Sequence, residues 1–134
     1  MGYKLIALDL DGTLKTSQNT ISPKTRDALL KCEELGIKVV LASGRPTPGL
    51  RHEAKELQLE KYEGYLLSFN GARVIDYTTN EIIYDKTLSV EQAREMIQRA
   101  KDFKLAPMSY LDNDVITDQS DDSYVQGEAK LNDM

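Results

Sequence analysis

Apolar and polar positions alternate in blocks over the first half of the chain. Leu5-Ile6-Ala7-Leu8 is an unbroken apolar run and predicts a buried strand from Lys4 to Leu10. Ser22-Pro23 predicts a helix start, with Ser as N-cap and Pro in the first turn. Ala28, Leu29, Cys32 and Leu35 then share one helical face, and Gly36 supplies the stop. The β-branched run Ile37 to Ala42 predicts a second buried strand. After a loop from Ser43 to Gly49, a helix is expected over Leu50 to Leu57, with Leu50, Ala54 and Leu57 facing inward. Tyr65 to Phe69 predicts a third strand that ends at Asn70-Gly71. Strand–helix–strand–helix–strand is the pattern of a parallel sheet with right-handed crossovers.

The rhythm changes after Asn70. Ala72 to Tyr77 and Glu81 to Tyr84 flank Thr78-Thr79-Asn80 and predict a hairpin. Ser89 and Gln92 form a capping box that opens a helix with Ala93, Met96, Ile97 and Ala100 on one face. Pro107 to Leu111 and Val115 to Thr117 predict a second hairpin, and the chain from Asp118 to Met134 reads as a polar tail. The expected organisation is an α/β domain over 1–84 and a smaller α+β piece over 85–134.

Composition narrows the classes. The 134 residues suit one small domain or part of a larger one. Net charge is −5, which argues against a nonspecific nucleic-acid binder. No run approaches the length of a membrane span, and no signal-peptide pattern opens the chain, so a cytoplasmic protein is the default expectation. The single cysteine, Cys32, excludes an internal disulfide and is read as a helix packing residue. His52 is read as a surface residue. The group Asp112, Asp114, Asp118, Asp121 and Asp122 is read as solvated turns, because it lacks the glycine and terminal Glu of a calcium loop.

The candidate chemistry lies at the predicted strand ends, where ligands bind in open α/β sheets. Asp9-Leu10-Asp11-Gly12-Thr13-Leu14 closes the first strand. Two carboxylates two apart on a strand would point to one side of the sheet, and Gly12 permits a sharp turn. Asp9 is placed to attack phosphorus as a nucleophile and Asp11 to act as acid and base. Mg²⁺ held by Asp9 and Asp11 would offset the charge repulsion. Gly12, Thr13, Ser43, Gly44, Arg45 and Asn70 are the candidate phosphate or substrate contacts. Ser43 offers its hydroxyl and N–H to the phosphate, and Arg45 pairs with the phosphate or a substrate group.

Asp9 to Leu14, Ala42-Ser43-Gly44-Arg45-Pro46 and Phe69-Asn70-Gly71-Ala72, in this order, resemble the Cof-type branch of the haloacid dehalogenase superfamily. Bacterial sugar-phosphate phosphatases of that branch are the nearest in pattern. The resemblance implies a Rossmann-like core, incomplete here, followed by the start of a cap domain. It implies Mg²⁺-dependent hydrolysis of a small phosphorylated metabolite through an aspartyl-phosphate. Asp9 would be nucleophile, Asp11 acid/base, Ser43 the second-motif hydroxyl, and Arg45 and Asn70 substrate-side groups. Family members also carry a later lysine and a further acidic strand end, and neither Lys130 nor Asp133 matches these. The expectation is therefore an N-terminal portion, inactive alone or completed by a C-terminal half or by self-association. A phosphomutase or phosphotransferase, and a noncatalytic phosphate-binding fragment, are the alternatives. A receiver-type acceptor fits poorly, because the third strand ends in Asn70 where receivers place Asp. No glycine-rich dinucleotide fingerprint follows the first strand.

Overall fold

The computed structural model describes residues 2–134. Two compact units divide them, one ending at Asp85 and the other running from Lys86 to Met134. The first contains β1 (Leu5–Leu8), α1 (Pro23–Glu34), β2 (Lys38–Ala42), α2 (Arg51–Glu56), α3 (Leu59–Tyr62), β3 (Tyr65–Ser68), β4 (Arg73–Asp76) and β5 (Glu81–Asp85). One sheet takes the order β1-β2-β3-β4-β5. β1, β2 and β3 run parallel, with Leu8 opposite Leu41 and Leu41 opposite Leu66. β4 and β5 add antiparallel, so the sheet is mixed and the fold is α/β.

The core forms on the face that the helices cover. Val39 and Leu41 of β2 and Leu66 of β3 join Leu29 of α1 and Leu50, Ala54, Leu57 and Leu59 in one buried cluster. The Ser22 hydroxyl accepts from the Thr25 N–H to cap α1, and Pro23 fills its first turn, where a missing N–H costs nothing. At the other end Gly36 takes φ +81°, the left-handed conformation that ends helices.

Three local expectations change. β1 stops at Leu8, and Leu5 is half exposed, because β1 has β2 as its one strand neighbour among the described residues. The buried side of α1 is Leu29 and Glu33, while Ala28 and Leu35 face out. Helical spacing alone does not say which of two overlapping stripes meets the sheet. The helix expected over Leu50 to Leu57 is a 3₁₀ turn at Thr47–Leu50 followed by α2. Gly49, a poor helix former, sits in that first turn.

Glu33 is 4% exposed, and neither carboxylate oxygen has a hydrogen-bond partner. Burial pushes its carboxyl from 4.5 up to about 7, against the pull of Lys38 and Lys61. A raised carboxyl means that the folded chain holds a proton the unfolded chain releases. The favourable protonated state is therefore complete below about pH 4.5 and is lost as pH rises through about 7. Glu33→Gln is expected to be near-neutral at pH 5. At pH 8 it is expected to stabilise the fold by about 3 kcal/mol. Urea unfolding of both proteins at the two pH values measures this. An equal stability difference at both would refute the buried-carboxyl account.

The second unit contains α4 (Val90–Asp102), β6 (Met108–Leu111), β7 (Asp114–Thr117) and α5 (Ser123–Leu131). The Ser89/Gln92 capping box forms as the spacing predicts. β6 and β7 pair antiparallel around Asp112 and Asn113. The stretch read as a polar tail instead carries α5, capped by the Asp122 carboxylate on the Tyr124 and Val125 N–H groups, with Val125 buried. Asp118 pairs with Lys101. Met96 and Ile97, on the expected inner face of α4, remain substantially exposed. No helix among the described residues is long and apolar enough to cross a membrane.

Candidate active site

The segment after β1 is a turn pinned at both ends by the core. Leu10 and Leu14 are buried in the main cluster, while Asp9, Asp11, Gly12 and Thr13 are exposed. The Leu14 N–H donates to the Asp9 carbonyl at 3.0 Å, and the Lys15 N–H to the Leu10 carbonyl at 2.9 Å. Inside this wide turn Asp11 (φ −79°, ψ 113°) and Gly12 (φ 79°, ψ 2°) form a type II β-turn. The second central position of that turn requires positive φ, which explains Gly12. Asp11 thus sits in a turn and not on the strand. Where the Asp11 carboxylate points is set by this turn, and strand alternation has no part in it.

Two further strand ends meet Asp9. Asp9, Ala42, Ser43, Gly44, Leu67, Asn70 and Gly71 line an open cleft of about 300 Å³. Close approach shapes its floor, since a Cβ on Gly44 would lie 3.0 Å from Asn70 Oδ1. Phe69, Asn70 and Gly71 all have positive φ, at 53°, 55° and 83°. For a bulky aromatic this conformation is strained. The strain is held by two hydrogen bonds across the strand ends, Phe69 N–H to the Arg45 carbonyl at 2.9 Å and Asn70 N–H to the Ser43 carbonyl at 3.1 Å. A buried hydrogen bond between Thr47 Oγ1 and Ser68 Oγ, 2.8 Å long, ties the same loops together.

The predicted residues divide. Asp9, Ser43, Gly44 and Asn70 line the cleft. Asp11, Gly12 and Thr13 lie on the exposed turn and are not part of that lining. The Ser43 N–H is taken by the Leu67 carbonyl at 2.9 Å, because the sheet ladder extends one residue past β2. That N–H is not available to a phosphate as the sequence reading supposed. The hydroxyl accepts from the Arg45 N–H at 3.2 Å and keeps its own hydrogen to donate. Arg45 turns to Asp11, with Nε on Oδ2 at 2.9 Å and Nη2 on Oδ1 at 2.6 Å. These hydrogen bonds above all, then the charges of Arg45 and Lys15, hold the Asp11 carboxyl below its ordinary range against a partial desolvation.

Lys15 and Glu53 were missed by sequence reasoning. Lys15, next after the turn, forms a buried ion pair with Glu53 of α2, their side chains 6% and 4% exposed. The signal for Glu53 was a charge three residues after Leu50, on the face that Leu50, Ala54 and Leu57 turn inward. Lys15 gave no such signal. His52 is exposed, with Nδ1 3.7 Å from Glu53 Oε1. Cys32 is half-buried on α1.

A mixed α/β sheet with loops gathered at the carboxyl ends of its parallel strands defines a Rossmann-like protein. A profile of haloacid dehalogenase-like hydrolases matches residues 6–133. The chain belongs to that superfamily, in its Cof-type branch. It is 34% identical over 83% of its length to YxeH of Bacillus subtilis, a protein with a provisional phosphatase name, and covers 41% of that protein. It is 33% identical over 69% of its length to YcsE of Bacillus subtilis, a 5-amino-6-(5-phospho-D-ribitylamino)uracil phosphatase, and covers 36% of it. A haloacid dehalogenase-like hydrolase from Bacteroides thetaiotaomicron superposes with TM-score 0.93 at 41% identity, over 99% of this chain and 50% of that one. The chain therefore spans half or less of the length of these relatives.

Proposed function

We propose that this chain carries the nucleophile half of a Mg²⁺-dependent phosphatase acting on small phosphorylated metabolites, sugar phosphates foremost. The observation that supports this most is one cleft lined by Asp9, Ser43 and Asn70 from three successive parallel strand ends. The name of YcsE, a phosphatase of a ribityl phosphate ester, points to the same substrate class.

Asp9 is the exposed carboxylate at the cleft and attacks phosphorus. The bond from phosphorus to the leaving oxygen breaks as the bond to Asp9 forms, giving an aspartyl-phosphate. Asp11 gives a proton to the leaving oxygen. It then takes a proton from the water that attacks phosphorus, and phosphate leaves with Asp9 restored. The Ser43 hydroxyl donates to a nonbridging oxygen, and the Asn70 side chain faces the substrate. The donor chemistry suits Mg²⁺, which takes few protein oxygens and keeps several waters. The Asp9 carboxylate and an oxygen of Asp11 would hold it, the Asp11 backbone carbonyl being the one that Arg45 does not occupy. When bound, Mg²⁺ neutralises charge between carboxylate and phosphate. The unit from Lys86 onward is read as the opening of a cap domain that selects the substrate.

Phosphate release by the complete protein, this half joined to its C-terminal half, from a panel of sugar phosphates and polyol phosphates, with Mg²⁺ and with EDTA, tests the reading. Mg²⁺-dependent release is expected. Transfer to a second sugar hydroxyl in place of water would make the protein a phosphotransferase. Phosphate binding without turnover would make it a binding fragment.

A further inference from the structure

We propose that Arg45 is a positioning residue for Asp11 and not a ligand for the substrate. This rests on the phosphatase reading, because it assigns a service to the acid–base role given to Asp11.

Four observations carry it. The guanidinium meets Asp11 as a fork, through bonds of 2.9 and 2.6 Å to the two carboxylate oxygens. Two parallel bonds fix the carboxylate plane as well as its distance, which a single contact does not. The Arg45 side chain is 6% exposed and that of Asp11 53%, so a ligand arriving from solvent meets the carboxylate and not the guanidinium. Arg45 and Asp11 alike are absent from the lining of the cleft, which their neighbours Ser43, Gly44, Asp9 and Asn70 form, so the two stand together beyond it. Finally, the backbone of Arg45 is fixed at both ends, its N–H on Ser43 Oγ at 3.2 Å and its carbonyl accepting from the Phe69 N–H at 2.9 Å. The base of the fork is therefore part of the rigid strand-end framework that also shapes the cleft.

Asp11 needs such a partner. It sits at the first central position of an exposed turn beside Gly12, which has no side chain to pack against it. An unrestrained aspartate there would sample several rotamers. Proton transfer to a leaving oxygen demands hydrogen-bond reach, and a misplacement of about 1 Å costs roughly a hundredfold.

The test compares wild type, Arg45→Lys and Arg45→Gln with two phosphate esters and adds an NMR readout on the same proteins. With an alkyl phosphate, whose alkoxide leaving group needs a proton, both variants are expected to lose about 10- to 100-fold in kcat with KM little changed. With p-nitrophenyl phosphate, whose phenolate leaves unprotonated, the first-turnover release is expected to stay within about threefold of wild type. Arg45→Lys is expected not to rescue, because an ammonium lacks the fork. A raised KM for both esters with kcat retained would overturn the proposal and return Arg45 to the substrate.

The NMR readout is independent of turnover. The Arg45 Nε–H resonance is expected to shift upfield and lose exchange protection in Asp11→Asn, and to stay in place when inorganic phosphate is added. A resonance indifferent to Asp11→Asn, or one that moves with phosphate, overturns the proposal even if the protein hydrolyses nothing. If the complete protein, this half joined to its C-terminal half, turns over no ester but the resonance responds to Asp11→Asn alone, the phosphatase reading fails and the pairing of Arg45 with Asp11 stands.

Discussion

Asp9→Asn in the complete enzyme is expected to abolish turnover of every phosphate ester the wild type hydrolyses, by about a thousandfold or more. An amide matches the carboxylate in shape but has no anionic oxygen with which to attack phosphorus. The substitution leaves the fold alone. Asp9 is exposed, and its hydrogen bond to the turn uses the backbone carbonyl, which accepts from the Leu14 N–H at 3.0 Å. An unchanged melting temperature with turnover lost is the expected pair of results. Hydroxylamine trapping gives an independent check, since an aspartyl-phosphate is captured in the wild type and not in the variant. Full activity in Asp9→Asn would remove Asp9 from the chemistry and leave the cleft without a nucleophile.

The second large effect concerns stability. Glu53→Leu is expected to destabilise the fold by about 3–5 kcal/mol, because it leaves the Lys15 ammonium buried without its counter-charge. The double variant Lys15→Met/Glu53→Leu is expected to recover most of that loss. Removing both charges removes the desolvation cost along with the attraction, and apolar side chains of similar volume suit a site beside Leu14 and Ala54. Urea unfolding of the two single variants and the double closes the cycle. A double variant as unstable as Glu53→Leu would mean that the pair is irreplaceable and not merely self-compensating. The pair joins the end of the nucleophile turn to α2, so the single variant also loosens the segment that carries Asp9 and Asp11.

The elements that the apolar pattern predicted are those in which local and tertiary preferences agree. Ser22-Pro23 starts α1 and Ser89 with Gln92 starts α4, because a cap satisfies N–H groups within its own turn. β2 was legible from Val39-Val40-Leu41, which the sheet buries completely or nearly so. α5 was not, since its stretch buries one apolar residue, Val125, and carries no clear amphipathic stripe, although Asp122 was a readable cap. The inward face of α1 was misplaced because nothing in its spacing reveals that the sheet accepts Glu33 and leaves Leu35 to solvent.

For the site, the residue types and their order were determined by the sequence alone. An apolar run ending in Asp-Leu-Asp-Gly-Thr-Leu announces a sharp turn at Gly12 with two acids at a strand end, and the fold then buries Leu10 and Leu14 and takes Asp11 off the strand into that turn. Tertiary structure decided what each side chain does there. The sheet ladder consumed the Ser43 N–H, strand-end hydrogen bonds held Phe69 and Asn70 in a strained conformation, and the fork of Arg45 closed on Asp11. These outcomes depend on groups 34 residues apart in one pair and 38 in the other, Arg45 with Asp11 and Lys15 with Glu53. Local preference acts over a few residues and cannot express such choices. Only the packing of β1 against β2, and of α2 against the turn, brings those charges within reach of one another.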